Sequence, residues 1–188
     1  KNHKGIIANP NCSTIQAMVP LKALDDKYKI KRVVYSTYQA VSGSGVKGVE
    51  DLEKGMNGNP TGFYPHQISY NCLPHIDSFT ENGYTKEEMK MVNETMKILD
   101  NYDLKITATT VRVPVKNGHS ESINVEFNNP FELDDLVKTL EEAPGVVVVD
   151  NPAKNEYPTA VEFDDRDEVF VGRIRRDFSV DNGVNLWV

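Results

Sequence analysis

Apolar residues alternate with polar ones in several short runs and recur at helical spacing in others, and the two periodicities partition the chain into elements. Gly5 to Ala8 is a short apolar run closed by the turn Asn9-Pro10-Asn11. A helix is predicted from Ser13 to Lys27, with Ile15, Met18, Val19 and Leu24 on one face. Pro20 falls inside it, where a missing N–H and a ring clash are expected to kink or shorten it. Lys31 to Val41, rich in Val, Tyr and Thr, predicts a strand. After it come the loop Ser42-Gly43-Ser44-Gly45, a short helix to Lys54 and an ordered Gly/Pro loop from Gly55 to Pro65. Gln67 to Leu73 predicts a strand and Asn82-Gly83 a turn. Thr85-x-x-Glu88 is a capping-box pattern that opens a helix to Leu99. Leu104 to Val115 and Ser120 to Phe127 predict two strands, joined as a hairpin across Lys116-Asn117-Gly118-His119. A helix over Phe131 to Ala143 precedes strands at Val146 to Val149, Glu168 to Ile174 and Val184 to Val188.

The helices do not alternate regularly with the strands, which argues against a doubly wound parallel fold. The expectation is an α+β domain with one mixed, largely antiparallel sheet and helices packed on one face. At 188 residues the chain is long enough to bury a core without metals or crosslinks. No internal boundary or repeat is evident, so residues 1–188 are expected to form one domain. The first residue is Lys1, no leader pattern is present, and the last residues read as a strand; these features suggest a fragment or processed product.

The net charge is −7 and the basic residues are scattered, which disfavours nucleic acid as a partner. No apolar run is long enough to span a bilayer. The two cysteines, Cys12 and Cys72, fit neither a metal spacing nor a disulfide framework, so no metal is expected and a reducing, cytoplasmic setting is.

The chemistry-bearing candidates are few. Cys12 stands at the start of a helix, where free amides and the helix dipole stabilise a thiolate and lower its pKa; a small core residue is the competing assignment, and chemistry alone leaves both open. His119, beside a turn glycine, can shuttle protons if it faces a cleft, but position alone favours an exposed turn residue. Arg112 can clamp a carboxylate with two hydrogen bonds, though a solvent-facing strand position explains it as readily. Glu87 and Lys90 share a helix face as a weak ion pair. Gln39 ends a strand before the glycine-rich loop. Cys72 and His75 carry no comparable signal.

The stretches GIIANPNCSTIQ, VVYSTYQAVSGSG, IDSFTENGYTKEEMKMVNETMKIL, TVRVPVKNGHSESINVEF and VFVGRIRRD together resemble the aspartate-semialdehyde dehydrogenase family. They span nearly the whole chain in the family's order. The resemblance implies a fold similar to the C-terminal domain of glyceraldehyde-3-phosphate dehydrogenase, acting as a catalytic and dimerisation domain. It implies Cys12 as nucleophile, Gln39 as the group orienting the intermediate and His119 as the acid–base residue. By the same resemblance Arg112 clamps the substrate α-carboxylate, Glu87 holds its amine, and Lys90 and Asn11 contact phosphate. Ser42, Gly43, Ser44 and Gly45 then face the nicotinamide end of NADP. The substrates implied are β-aspartyl phosphate, aspartate semialdehyde and phosphate, and the assembly implied is a homodimer. The family's Rossmann-type NADP domain and its C-terminal helix have no counterpart in this sequence, so this chain alone is expected to be inactive. Three alternatives stand beside this: an N-acetyl-glutamyl-phosphate reductase, where an aromatic residue usually follows the cysteine instead of Ser13; a dimerisation module only; and a Cys–His hydrolase.

Overall fold

A computed structural model describes residues 4–188. Its elements in chain order are α1 (Cys12–Tyr28), β1 (Ile30–Gln39), α2 (Val46–Met56), α3 (Lys86–Leu99), β2 (Lys105–Arg112), β3 (Ser120–Phe127), α4 (Leu133–Glu141), β4 (Val146–Val148), β5 (Val169–Asp177) and β6 (Gly183–Trp187). Short 3-10 turns occupy Val41–Ser44 and Pro152–Lys154. The six strands form one sheet in the order β2-β1-β3-β6-β5-β4. The β1/β2 and β4/β5 pairs are parallel, and the other three are antiparallel.

Strand periodicity gives the sheet two unlike faces. Tyr35, Thr37, Ile123, Val125, Val184 and Leu186 point to a buried side, where α1, α3 and α4 pack. Ser36, Tyr38, Ser122, Asn124 and Trp187 point to the other side and stay at least partly exposed. The expected mixed sheet with a one-sided helical layer is therefore observed. The exception is α2, which packs on the 3-10 turn and forms a small second cluster of Val41, Leu52, Ile68 and Leu73.

Helix α1 begins where Asn11 accepts hydrogen bonds from the Ser13 and Thr14 amides, at 3.0 and 3.3 Å. It continues unbroken past Pro20, so the expected shortening does not occur. The proline ring is buried with Ala17, Leu21 and Leu24, and packing against the sheet outweighs the one ladder bond it removes. The buried face also differs from the expected one: Ile15 is 41% exposed, and Ala17 and Leu21 take its place.

The predicted hairpin is corrected. β2 and β3 are not neighbours, because β1 lies between them. The segment after β2 instead crosses the end of β1, where Val113 N–H donates to Gln39 O, Val41 N–H to Val115 O and Ser42 N–H to Lys116 O. Asn-Gly chemistry marks a turn here but not its partner strands. Gly118 has φ +78, and a Cβ on it would meet Ala160 at 3.3 Å, so glycine serves the crossing itself.

Three smaller expectations also change. Gly5 to Ala8 pairs with no strand among the described residues, and Ile6 is 89% exposed. The 67–73 stretch makes only an isolated bridge, Leu73 to Arg112. The Ser42–Gly45 loop is largely a 3-10 turn.

Helix α3 carries two site candidates and starts with a complete capping box. Glu88 N–H donates to Thr85 Oγ1, and Thr85 N–H donates to Glu88 Oε2 at 2.8 Å. Glu88 Oε1 also accepts from Thr110 N–H, which ties the helix start to β2. Replacing Thr85 with Ala is expected to lower stability by about 1 kcal/mol in urea unfolding.

Candidate active site

The crossing beyond β1 fixes where the polar side chains meet. β1 and β2 run parallel and end together at Gln39 and Arg112, which are direct register partners. His119 immediately precedes β3, which runs the other way and so begins at the same edge. The N-terminus of α1 points at this edge and brings Cys12. Residues distant in sequence thus converge because three strand ends and one helix start share a location.

Cys12 Sγ lies 3.2 Å from His119 Nε2. The other ring nitrogen, Nδ1, accepts the Ala40 backbone N–H at 3.0 Å. That bond leaves the hydrogen of the neutral imidazole on Nε2, directed at the sulfur. Burial and the Arg112 charge push the His119 pKa down to about 4, against a smaller upward pull from Glu87. The ring is therefore neutral at physiological pH.

Arg112 is buried, and its guanidinium donates to Ala40 O at 2.6 Å. The solvent-facing assignment is thus excluded. A Cβ built on Gly43 would lie 3.3 Å from Arg112 Nη1 and 3.5 Å from His119 Cε1. Gly43 therefore lies close against both side chains, where a Cβ would crowd them, and it sits in the 3-10 turn that Gly45 closes.

Glu87 is the electrostatic hub. It is 6% exposed, and its Oε1 accepts from Asn11 Nδ2 at 2.7 Å and from Gln39 Nε2 at 3.1 Å. Its Oε2 accepts from Lys90 Nζ at 3.2 Å. Burial pushes its carboxyl group up, but the bonds from Asn11, Gln39 and Lys90 outweigh that and hold it below the usual range. The expected surface pair of Glu87 and Lys90 thus joins an exposed lysine to a buried carboxylate held by two further donors. Lys90 also reaches Asp77 at 3.1 Å; its own burial opposes the charge, while Asp77 and Glu87 raise its pKa overall. Gln39, 1% exposed, accepts from Thr37 Oγ1 at 2.9 Å and donates to Glu87.

The Cys12 thiol departs from expectation. Its pKa is raised by burial first and by Glu87 second, against lowering by the Ser13 amide and Arg112. The helix N-terminus favours a thiolate, but desolvation by the surrounding protein and the adjacent carboxylate outweigh it, although the cysteine itself reaches the surface.

Some contributors were not foreseen. Glu94 Oε2 accepts the Asn11 N–H at 2.7 Å. Gln16 donates to His119 O and to Val188 O, at 3.0 and 3.2 Å. Spacing held a partial signal: Gln16 follows Cys12 by four residues and Glu94 follows Glu87 by seven, so each shares a helix face with a site residue. Asp77, in a loop at φ +67, had none.

A cavity of about 360 Å³ opens beside Cys12 and His119 and ends at Phe163, Phe170 and Trp187. A larger one, about 640 Å³, lies elsewhere, on the outer sheet face between Tyr38, Trp187, Tyr157 and Arg175. Cys12 and His119 line the smaller cavity and not the larger one. Among the described residues, no three His, Cys, Asp or Glu side chains are grouped to hold a metal ion, and no helix is long and apolar enough to cross a membrane.

A family profile described as "Semialdehyde dehydrogenase, dimerisation domain" matches residues 21–188. The aspartate-semialdehyde dehydrogenase of Aquifex aeolicus is 53% identical over 98% of this chain and 56% of its own length. That of Legionella pneumophila is 51% identical over 98% of this chain and 55% of its own. The chain thus spans a little over half the length of these relatives. The crystal structure of aspartate semialdehyde dehydrogenase II complexed with ASA from Vibrio cholerae superposes with a TM-score of 0.91 at 44% identity, covering 97% of this chain and 55% of that one. A structure from Candida albicans, described as the enzyme with NADP, gives 0.70 at 27% identity, covering 97% and 52%.

The electrostatics set the reactivity of Cys12. Peptide-resolved alkylation by iodoacetamide is expected to rise with pH to a midpoint above the ordinary thiol value of about 8.5, without a plateau between pH 6 and 8. Glu87→Gln removes a charge that opposes the thiolate and should lower the midpoint. A plateau near neutrality would indicate a thiolate–imidazolium pair, contrary to this geometry.

Proposed function

The chain belongs to the semialdehyde dehydrogenase dimerisation-domain family, and from that premise we propose that it is the catalytic half of an NADP-dependent aspartate-semialdehyde dehydrogenase. The observation that carries the proposal is the 3.2 Å contact between Cys12 Sγ and His119 Nε2, at an edge that also holds Arg112, Gln39 and Glu87.

The residues present suit a small substrate with a carboxylate, an ammonium group and an acyl phosphate. Arg112 has N–H groups beyond the one given to Ala40 O, and these suit the α-carboxylate. The ionised Glu87 suits the ammonium group. Lys90 suits the phosphate, and Asn11, whose side chain caps α1 and holds Glu87, has one amide hydrogen left for the same group.

At neutral pH the Cys12 thiolate is the minor form, its proton lost to solvent water, and its attack on the acyl carbon of β-aspartyl phosphate forms a C–S bond and a tetrahedral oxyanion. Collapse of that oxyanion breaks the C–O bond to phosphate, which leaves with the bonding electrons, and a Cys12 thioester remains. NADPH, when bound, supplies hydride to the thioester carbon. The second oxyanion expels the thiolate and releases the aldehyde. Neither collapse requires a proton on the carbonyl oxygen. His119, neutral and bearing hydrogen on Nε2, accordingly serves as a hydrogen-bond donor to thiolate and oxyanion, which narrows the acid–base role expected from sequence. Gln39 orients the acyl group. Gly43 lies close to Arg112 and His119, and Ser42, Gly43, Ser44 and Gly45 would border the nicotinamide on that side. This activity would place the enzyme in lysine, methionine and threonine biosynthesis, in the cytoplasm.

We place a homodimer contact on the outer sheet face. There Tyr38 and Trp187 pack at 5.5 Å, and Val161, which lines the same cavity, is 87% exposed. Such contiguous apolar exposure suits a partner.

The test is an assay of a protein joining this chain to its nucleotide-binding half. Reduction of NADP by aspartate semialdehyde should require phosphate and should fall more than about a thousandfold in Cys12→Ser. The 188-residue chain alone should show no turnover. Turnover of N-acetyl-glutamate semialdehyde instead would move the substrate to the related reductase. Full activity in Cys12→Ser would refute the mechanism.

A further inference from the structure

His119 stands just outside the sheet. Pairing of β3 with β1 begins one residue later, at Ser120 opposite Tyr38, and among the described residues no strand pair includes His119 itself. The residue before it, Gly118, is left-handed at φ +78. Its ring nonetheless lies 3.2 Å from the Cys12 sulfur. The Ala40 N–H holds one side of that ring, through Nδ1 at 3.0 Å. The backbone of His119 is held by a side chain, and that side chain comes from the helix that carries Cys12.

Gln16 lies one turn along α1 from Cys12, so the two share a face. Its Nε2 donates to His119 O at 3.0 Å and to Val188 O at 3.2 Å. Val188 is itself paired with Glu121, whose N–H donates to Val188 O at 2.8 Å and whose O accepts the Val188 N–H at 2.9 Å. Gln16 thus ties the start of α1 to the residue before β3 and the residue after β6, and all three side by side line the cavity at Cys12. The direction of its amide is determined. A carbonyl only accepts, so both neighbours require the nitrogen. Flipping the amide would set its oxygen against two carbonyl oxygens and lose both bonds.

We propose that Gln16 is a positioning residue, which holds the His119 backbone and so sets the approach of the imidazole to Cys12. A closed ring of contacts carries this role. Helix α1 links Cys12 to Gln16, Gln16 holds His119 O, and the His119 ring returns to Cys12 Sγ. A small shift of α1 then moves nucleophile and imidazole together and keeps their spacing. That spacing matters because a hydrogen bond weakens steeply as it bends or lengthens. The role rests on the reading of Cys12 and His119 as the reacting pair, and holds whichever acyl substrate the site takes.

Peptide-resolved alkylation of the 188-residue chain by iodoacetamide at mildly alkaline pH tests the proposal, with the exposed Cys72 as internal reference. The Nε2 hydrogen of His119 stabilises the thiolate, so loss of its alignment lowers the reactivity of Cys12. Gln16→Met keeps the length of the side chain and removes both donors. It should slow Cys12 labelling about fivefold relative to Cys72. A His119→Ala background retains the carbonyl that Gln16 holds but not the ring. There the same change should alter the rate by less than about twofold. A purely structural disturbance of α1 would slow labelling equally in both backgrounds. Nuclear magnetic resonance of the unsubstituted chain supplies the second readout. The Gln16 side-chain amide hydrogens should exchange with solvent about tenfold more slowly than those of free glutamine. No readout uses a substrate or a nucleotide, so the dehydrogenase reading stands or fails separately. Equal slowing in both backgrounds, an unchanged rate in Gln16→Met, or exchange as fast as in free glutamine would each overturn the proposal.

Discussion

Asn11 joins the two helices that carry the site. Its Oδ1 accepts the Ser13 and Thr14 amides and starts α1. Its Nδ2 donates to Glu87 and its backbone N–H to Glu94, both on α3. One residue thereby fixes the position of the next, Cys12, relative to α3 and to the strand ends below. Without this bracket the first turn of α1 would have two orphan amides and Glu87 would lose a donor. The geometry of Cys12, Gln39 and Glu87 all depends on it.

Charge around that bracket is balanced. Glu87 opposes ionisation of Cys12 but is needed to hold Gln39, Asn11 and Lys90. Arg112 favours the thiolate and at the same time suppresses protonation of His119. The outcome is a thiol that is hard to ionise beside an imidazole that stays neutral and donates hydrogen. Such a pair leaves only a minor thiolate fraction to attack at neutral pH, while the imidazole is set to stabilise oxyanions by hydrogen bonding rather than by protonation. A cationic imidazole would instead place an Nδ1 hydrogen against the Ala40 N–H.

Local pattern carried the elements well where a single physical signal dominated. The capping box of Thr85 and Glu88 located α3, and richness in β-branched residues located β1 and β3. It failed where pairing is long-range. Asn117-Gly118 looks like a hairpin turn, yet β1 inserts between the strands it separates, and no local residue encodes that. Pro20 argued for a break that sheet packing overrides. The same limit applies to the site. Cys12, His119 and Arg112 were legible as reactive types but were balanced or outweighed by ordinary assignments. The family resemblance raised them above those, and the crossing of three strand ends brings them together. The raised Cys12 pKa could not be read from a helix-start position, because Glu87 comes from another element. Glu121, lying in an alternating strand, gives no sign in the sequence that it is buried with no hydrogen-bond partner among the described residues.

The central claim is that this edge forms an acyl-thioester on Cys12. Acylation precedes the hydride step, so it can be observed in this chain without a nucleotide. The chain would be incubated with β-aspartyl phosphate, quenched in acid and digested, and its peptides resolved by mass spectrometry. The account predicts one aspartyl group on the Cys12 peptide, none on the exposed Cys72, and loss of the adduct in Arg112→Met. An unmodified Cys12, or equal labelling of Cys72, would contradict it.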